Sequence, residues 1–291
     1  MLGFISRKIT TLGIIGAGQM GTGIAIVGAN TAKLNVKIFD HSKEQNSRSV
    51  SFIDTWINRK ISKGELKSGD EIKAKISHLT DLESVAECDF IVEAISENPD
   101  AKFKLFRHVS PIMKQGAILA SNTSSISITK LAACAEFPQN VIGMHFMNPV
   151  PVMTLVEVIR GLQTSESTLK ITLELAKSMG KVCTESQDRP GFIANRILMP
   201  YINEAIQVLN EGVASKEHID TTMKLGTNVP MGPLELADFI GLDTCLSIMQ
   251  VLHREIGDSK YRPSTLLVNY VNAGWLGKKT GKGFYDYKKK I

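Results

Sequence analysis

Thr11-Leu12-Gly13-Ile14-Ile15-Gly16-Ala17-Gly18-Gln19-Met20-Gly21 is the stretch that decides the fold. Its first five residues predict a short buried strand, and a G-x-G-x-x-G run over residues 16–21 follows at once. Met20, Ile24 and Val27 then recur at helical spacing, so the glycines predict a strand-to-helix turn. In such a turn Gly16 permits the tight bend, Gly18 lets the backbone approach a pyrophosphate, and Gly21 allows close helix–strand packing. The helix N-terminus offers N–H groups and a positive dipole end to the phosphates. A second predicted strand, 36–39, ends at Asp40. A carboxylate there accepts hydrogen bonds from both adenine-ribose hydroxyls and repels a 2′-phosphate. His41 and Lys43 stand near it, yet the order of elements predicts NAD rather than NADP. A glycine-rich turn with no dinucleotide is the bland alternative, and strand, loop, helix, strand and acid in sequence weigh against it.

Short apolar runs at 89–94, 117–120, 141–144 and 155–159 add further predicted strands, separated by helical patterns such as 103–113 and 169–179. The fold class expected is α/β: a Rossmann-type, doubly wound, mostly parallel sheet covered on both faces. Residues 43–75 break the alternation. They read as two charged helices interrupted at Lys63-Gly64, a helical hairpin inserted into the α/β unit. After Asp188-Arg189-Pro190-Gly191 the pattern turns helical, with 193–209 at helical spacing and Ser215 as an N-cap. The expected domains are therefore 1–189, which binds the dinucleotide, and an all-α domain at 190–291.

A chain of 291 residues suits two domains, and 43% hydrophobic with 22% charged residues is ordinary for a folded protein. The net charge of +5 is diffuse, and better suited to an anionic small molecule than to nucleic acid. Lys288-Lys289-Lys290 reads as a solvated end. Cys88, Cys134, Cys183 and Cys245 are widely spaced, which argues against a disulfide framework or a structural zinc and for a reducing compartment, the cytoplasm. Residues 9–32 are uncharged and superficially resemble a signal peptide or a membrane span. Six glycines, Gln19, Asn30 and several threonines make them a poor apolar segment, so no membrane span is expected, and the scattered cysteines lead to no expected metal.

A second constellation is Gly143-Met144-His145-Phe146-Met147-Asn148-Pro149, followed by Glu157 inside the apolar run Val156-Glu157-Val158. Oxidising an alcohol by hydride transfer needs a base for the hydroxyl proton, and histidine titrates near neutrality. A glutamate amid valines is expensive to bury unless paired, which makes Glu157 the candidate partner of His145. Two polar stretches offer donors to an oxygen gaining charge: Ser121-Asn122-Thr123-Ser124-Ser125, and Asn195 within Gly191-Phe192-Ile193-Ala194-Asn195-Arg196. Taken alone, Ser/Asn clusters are more often turns and caps.

With these stretches in view, the sequence resembles the short-chain L-3-hydroxyacyl-CoA dehydrogenases, most closely the bacterial members that act on 3-hydroxybutyryl-CoA. The resemblance runs from about residue 11 to 287. It continues through Met231-Gly232-Pro233-Leu234-Glu235, Asp238-Phe239-Ile240-Gly241-Leu242-Asp243 and Gly281-Lys282-Gly283-Phe284-Tyr285. It implies an NAD-dependent oxidoreductase that interconverts (S)-3-hydroxyacyl-CoA and 3-ketoacyl-CoA. By that resemblance His145 is the general base, Glu157 orients it, and Ser124 and Asn195 contact the substrate's 3-oxygen. Gly16, Gly18, Gln19, Met20, Gly21, Asp40, Glu97, Lys102, Asn122 and Asn148 surround the cofactor. The hairpin lies over coenzyme A, with Arg59 and Lys63 as the leading phosphate contacts among its basic residues. The helical domain closes on the substrate and forms a homodimer. Two alternatives stand beside this reading. One is a related dehydrogenase of a sugar acid, which leaves the basic hairpin unexplained. The other is a dinucleotide-binding structural protein without turnover, which leaves Ser124, His145, Glu157 and Asn195 unexplained.

Overall fold

The computed structural model describes residues 9–287, and the chain divides into two compact units, Met1–Arg189 and Pro190–Ile291. In the first unit β1 (Thr11–Ile15), α1 (Gln19–Asn30) and β2 (Asn35–Phe39) are followed by α2 (Lys43–Ser62), α3 (Asp70–Lys75) and β3 (Ile76–Leu79). Then come β4 (Phe90–Glu93), α4 (Pro99–Ile112), β5 (Ile118–Ser121), α5 (Ile128–Ala132), β6 (Val141–Phe146), β7 (Leu155–Arg160), α6 (Glu166–Ser178) and β8 (Val182–Gln187). One sheet holds all eight strands in the order β3-β2-β1-β4-β5-β6-β7-β8. β1 to β6 run parallel, β7 is antiparallel to β6, and β8 is parallel to β7. This is a Rossmann-type sheet, and its strand order reverses between β1 and β4. Open sheets of this kind take ligands beyond the carboxyl ends of such strands.

The uncharged residues near the start are core. Leu12, Ile14, Ile24, Ala25 and Ile26 are wholly buried, and every residue of α1 from Gly21 to Ala29 is enclosed. A helix buried on all sides has no face for charge. Among the described residues no single helix is long and apolar enough to cross a membrane.

β3 and β8 fall outside the sequence expectation. They form the two edges of the sheet, where Ile76-Ser77-His78-Leu79 is half-buried and Val182 to Gln187 is largely exposed. Edge strands carry no continuous apolar run, so periodicity misses them. The inserted hairpin is also less regular than expected. Its first helix ends at Lys63 and Gly64, where φ is +71°, but its second, α3, has only 6 residues. On α2 the buried stripe is Ser49, Ile53 and Ile57.

The second unit is helical: α7 (Ala194–Asn210), α8 (Lys216–Gly226), α9 (Pro233–Ile240), α10 (Leu242–Ile256) and α11 (Thr265–Asn272). Ser215 caps α8 by accepting from the His218 N–H at 3.3 Å. Two buried aspartates hold the turns. Asp220 accepts from the N–H groups of Leu234 and Glu235 at the start of α9, at 2.8 and 2.9 Å. Asp238 accepts from the N–H groups of Phe284 and Tyr285, both at 2.9 Å. Lys288-Lys289-Lys290 lies outside the described residues.

Candidate active site

At the carboxyl end of β1, Gly16 has φ +109°, and a Cβ there would stand 2.5 Å from the Ala94 carbonyl oxygen. Gly21, in the first turn of α1, packs so tightly that a Cβ would lie 1.9 Å from the Gly16 oxygen. Around Gly18 the space is open, with nothing within 4 Å of a Cβ position. Gly18 is the N-cap of α1, with no side-chain cap, and the first turn, which includes Gln19 and Met20, has no acidic residue. Amides and dipole are therefore left for an anion. Asp40 directly follows β2. Its Oδ2 accepts from the Ala17 N–H and its Oδ1 from the Ser42 N–H, both at 2.9 Å. A carboxylate offers about four acceptor positions, so capacity remains for ribose hydroxyls beside these two donors and the His41 Nδ1 that lies 3.4 Å from Oδ1. The loop, the helix end and Asp40 fit a dinucleotide.

Next to the loop lies a charged network. Lys102, on α4, is wholly buried, and its Nζ meets Glu93 Oε1 at 2.8 Å and Glu97 Oε2 at 3.1 Å. Glu93, at the end of β4, also accepts from the Ile95 N–H at 2.8 Å and the Ser121 hydroxyl at 2.5 Å. Glu97 Oε1 accepts from the Thr123 hydroxyl at 2.6 Å and from the N–H groups of Ser124 and Ser125 at 2.8 and 3.0 Å. Burial opposes the charge on Lys102, but Glu93 and Glu97 outweigh it and raise the ammonium above its ordinary range. Burial likewise pushes Glu93 up, and its donors only partly offset that. For Glu97 burial is overcome by Lys102, Thr123 and Ser124, and the carboxyl is held low.

The third group sits where the sheet changes direction. His145 on β6 and Glu157 on β7 are directly opposite in the antiparallel ladder, so their side chains share a face. His145 Nδ1 lies 2.7 Å from Glu157 Oε2, and both residues are buried. The Phe146 N–H donates to Asn122 Oδ1 at 2.9 Å, tying the end of β6 to the loop after β5. Gln19 Nε2 donates to Asn148 Oδ1 at 3.0 Å, which joins the glycine loop's helix to the segment after His145. The predicted residues Gln19, Glu97, Lys102, Asn122, Ser124, His145, Asn148 and Glu157 thus lie along the carboxyl side of β1, β4, β5 and β6. Arg59, in the last turn of α2, and Lys63, its C-cap, are exposed and take no part in the bonds above. Asn195 is buried in the first turn of α7, within the second unit.

Residues 11–189 match the sequence profile of the 3-hydroxyacyl-CoA dehydrogenase NAD binding domain, and residues 191–287 match the profile of the C-terminal domain of the same enzymes. The chain belongs to the 3-hydroxyacyl-CoA dehydrogenase family. This dehydrogenase is 52% identical over 286 residues to a probable 3-hydroxybutyryl-CoA dehydrogenase of Bacillus subtilis, covering 97% of this chain and 99% of that one. It is 51% identical over 286 residues to a 3-hydroxybutyryl-CoA dehydrogenase of Bradyrhizobium diazoefficiens, covering 98% and 97% of the two chains. The crystal structure of (S)-3-hydroxybutyryl-CoA dehydrogenase from Ralstonia eutropha matches with a TM-score of 0.93 and 48% identity, over 97% of this chain and 100% of that one. The chain is an NAD-dependent oxidoreductase, and the family match decides against a sugar-acid enzyme.

Sequence reasoning passed over Glu93 in this dehydrogenase, and read Ser121 and Thr123 only as members of a polar stretch, not as partners of Glu93 and Glu97. The signal for Glu93 was present, because Phe90-Ile91-Val92-Glu93 places a carboxylate in an apolar run as Val156-Glu157-Val158 does. Nothing local marks which carboxylates Ser121 and Thr123 meet, since those partners lie 28 and 26 residues away. Lys181 was also missed. It is buried after α6, and its Nζ donates to the carbonyls of Val150 and Met153 at 2.5 and 2.7 Å, holding the loop between β6 and β7.

Proposed function

We propose that this dehydrogenase catalyses the reversible oxidation of (S)-3-hydroxybutyryl-CoA to acetoacetyl-CoA, with His145 as the general base. The buried pair of His145 and Glu157 carries the reading. A proton on Nδ1, donated to the carboxylate, puts the ring's lone pair on Nε2, where it takes the substrate's hydroxyl proton. Glu157 then stabilises the imidazolium that forms. Bound NAD supplies the hydride acceptor for C3. In the reverse direction the imidazolium returns its proton to the carbonyl oxygen.

Ser124 and Asn195 donate to the 3-oxygen, where negative charge is greatest in the transition state. Glu97 supports this role by fixing the 123–125 turn through its bonds to Thr123, Ser124 and Ser125. Gly16, Gly18, Gln19, Met20, Gly21 and Asp40 bind the dinucleotide with Glu97, Lys102, Asn122 and Asn148. Arg59 and Lys63 take the phosphates of coenzyme A, which their exposure permits. Residues 190–291 close on the acyl group and pair two copies of the chain, and the protein works in the cytoplasm.

Loss of NADH absorbance with acetoacetyl-CoA tests the reading, run beside longer 3-ketoacyl-CoAs, a keto sugar acid and NADPH. The expected result is fastest turnover with NADH and acetoacetyl-CoA. Tight NADH binding without turnover of any acyl-CoA would overturn it.

A further inference from the structure

Three side chains outside the catalytic group form one hydrogen-bonded line that ends on the glycine loop. Thr22 of α1 lies with its Oγ1 3.0 Å from the Ala17 carbonyl oxygen and 2.8 Å from Ser49 Oγ of α2. Ser49 Oγ lies 3.1 Å from His78 Nε2 on β3. Proton counting fixes the direction. A carbonyl only accepts, so Thr22 gives its single hydroxyl proton to Ala17. The Ser49 hydroxyl must then donate to Thr22, and its oxygen accepts from an N–H on His78 Nε2. Burial lowers the His78 pKa below its ordinary 6.5 and so favours the neutral ring, and the Ser49 oxygen it faces at 3.1 Å places the proton on Nε2.

The line acts on one peptide plane. In a trans peptide the carbonyl of Ala17 and the N–H of Gly18 point in opposite directions. Holding the Ala17 oxygen toward Thr22 turns the Gly18 N–H away from α1 and α2. The Ala17 N–H is fixed as well, on Asp40. Ser49 explains itself on these terms. It is the one polar member of the buried stripe Ser49, Ile53, Ile57, on a helix otherwise held by isoleucines. Thr22 and Ser49 are both nearly inaccessible, at 2% and 1% exposure, so an unmade bond there finds no water to replace it.

We infer that Thr22, Ser49 and His78 are positioning residues for cofactor binding: they pre-orient the Ala17–Gly18 peptide toward the dinucleotide phosphates and tie the inserted helices to that loop. The inference rests on the reading that NAD binds this loop. It predicts a change in cofactor affinity with little change in chemistry, because none of the three touches the reacting atoms.

NADH titrated by its fluorescence tests it, with steady-state kinetics on the same proteins. Thr22→Val keeps the shape and removes the hydroxyl, and should raise the NADH Kd roughly 3–10-fold, the span of one net hydrogen bond. Ser49→Ala should raise it roughly 2–5-fold. For both, kcat at saturating NADH and KM for acetoacetyl-CoA should stay within about twofold. Thr22→Ser should restore the Kd, and nitrogen NMR should show the His78 Nε2–H tautomer in the wild type and lose it in Ser49→Ala. Where Thr22→Val does not fold, Ser49→Ala and Thr22→Ser decide. Unchanged NADH affinity in the variants, or equal losses in kcat and affinity, overturns the inference while the cofactor site stands. A wild-type protein that does not bind NADH overturns both.

Discussion

Glu157 and Asp238 are both carboxylates almost wholly buried in apolar surroundings, one in each unit of the chain. Their partners differ. Glu157 faces the ring of His145, with its Oε2 2.7 Å from Nδ1. Asp238 accepts from the backbone N–H groups of Phe284 and Tyr285 and from the Tyr287 hydroxyl at 3.0 Å. Gly283 leaves room for it, since a Cβ there would lie 1.9 Å from Asp238 Oδ1. One carboxylate is paired with a side-chain ring and the other ties down a chain segment. A carboxylate amid apolar residues thus marks a bonding network in both units, and the partners differ in kind: a side-chain ring in one, backbone N–H groups and a tyrosine hydroxyl in the other.

The contrast breaks if the two respond alike to mutation. His145→Ala should lower kcat about 10²–10⁴-fold, and Glu157→Gln roughly 10²-fold, with cooperative unfolding retained. Stopped-flow NADH oxidation beside thermal unfolding measures this, and a Glu157→Gln protein that loses stability but keeps its turnover would make Glu157 another Asp238. Asp238→Ala should show the converse. It leaves three donors without an acceptor and should cost about 2–4 kcal/mol of stability. Calorimetry reads that loss, and the folded protein should keep kcat within about threefold.

The smallest effect lies in pH dependence and has opposite signs in the two units. Glu97 is held below its ordinary 4.5, because Lys102, Thr123 and Ser124 outweigh burial. Its contribution is therefore present above 4.5 and lost as pH falls through the folded value. Asp238 is pushed above its ordinary 3.8, because burial outweighs its donors. Its contribution is full below 3.8 and lost as pH rises through the folded value. Unfolding measured from pH 7 to 3 should show the gap between wild type and Glu97→Gln narrowing with acid. The gap to Asp238→Asn should widen over the same range.

Much of the candidate site was legible because its signals are local. The glycine spacing declares itself, since Gly16 needs a positive φ and Gly21 a missing Cβ, and neither requirement depends on distant residues. Six of the eight strands showed as apolar runs, while β3 and β8 did not, because an edge strand half in water needs no such run. Asp40 was legible as an acid at the right spacing, but not as the residue that accepts from Ala17. The functional alternatives narrowed through the resemblance, which the family match then supported over both units.

Local spacing and the cost of burying charge were enough to specify a dinucleotide loop, an α/β sheet and a histidine with a carboxylate partner. Tertiary structure alone decided which distant groups meet: Lys102 between Glu93 and Glu97, Asp238 on the 284–287 segment, and His78 linked through Ser49 and Thr22 to the glycine loop. A turn's conformation is imposed by neighbouring residues along the chain. A buried polar group's partner is imposed by whatever the fold brings within about 3 Å, and spacing along the chain carries no record of that distance.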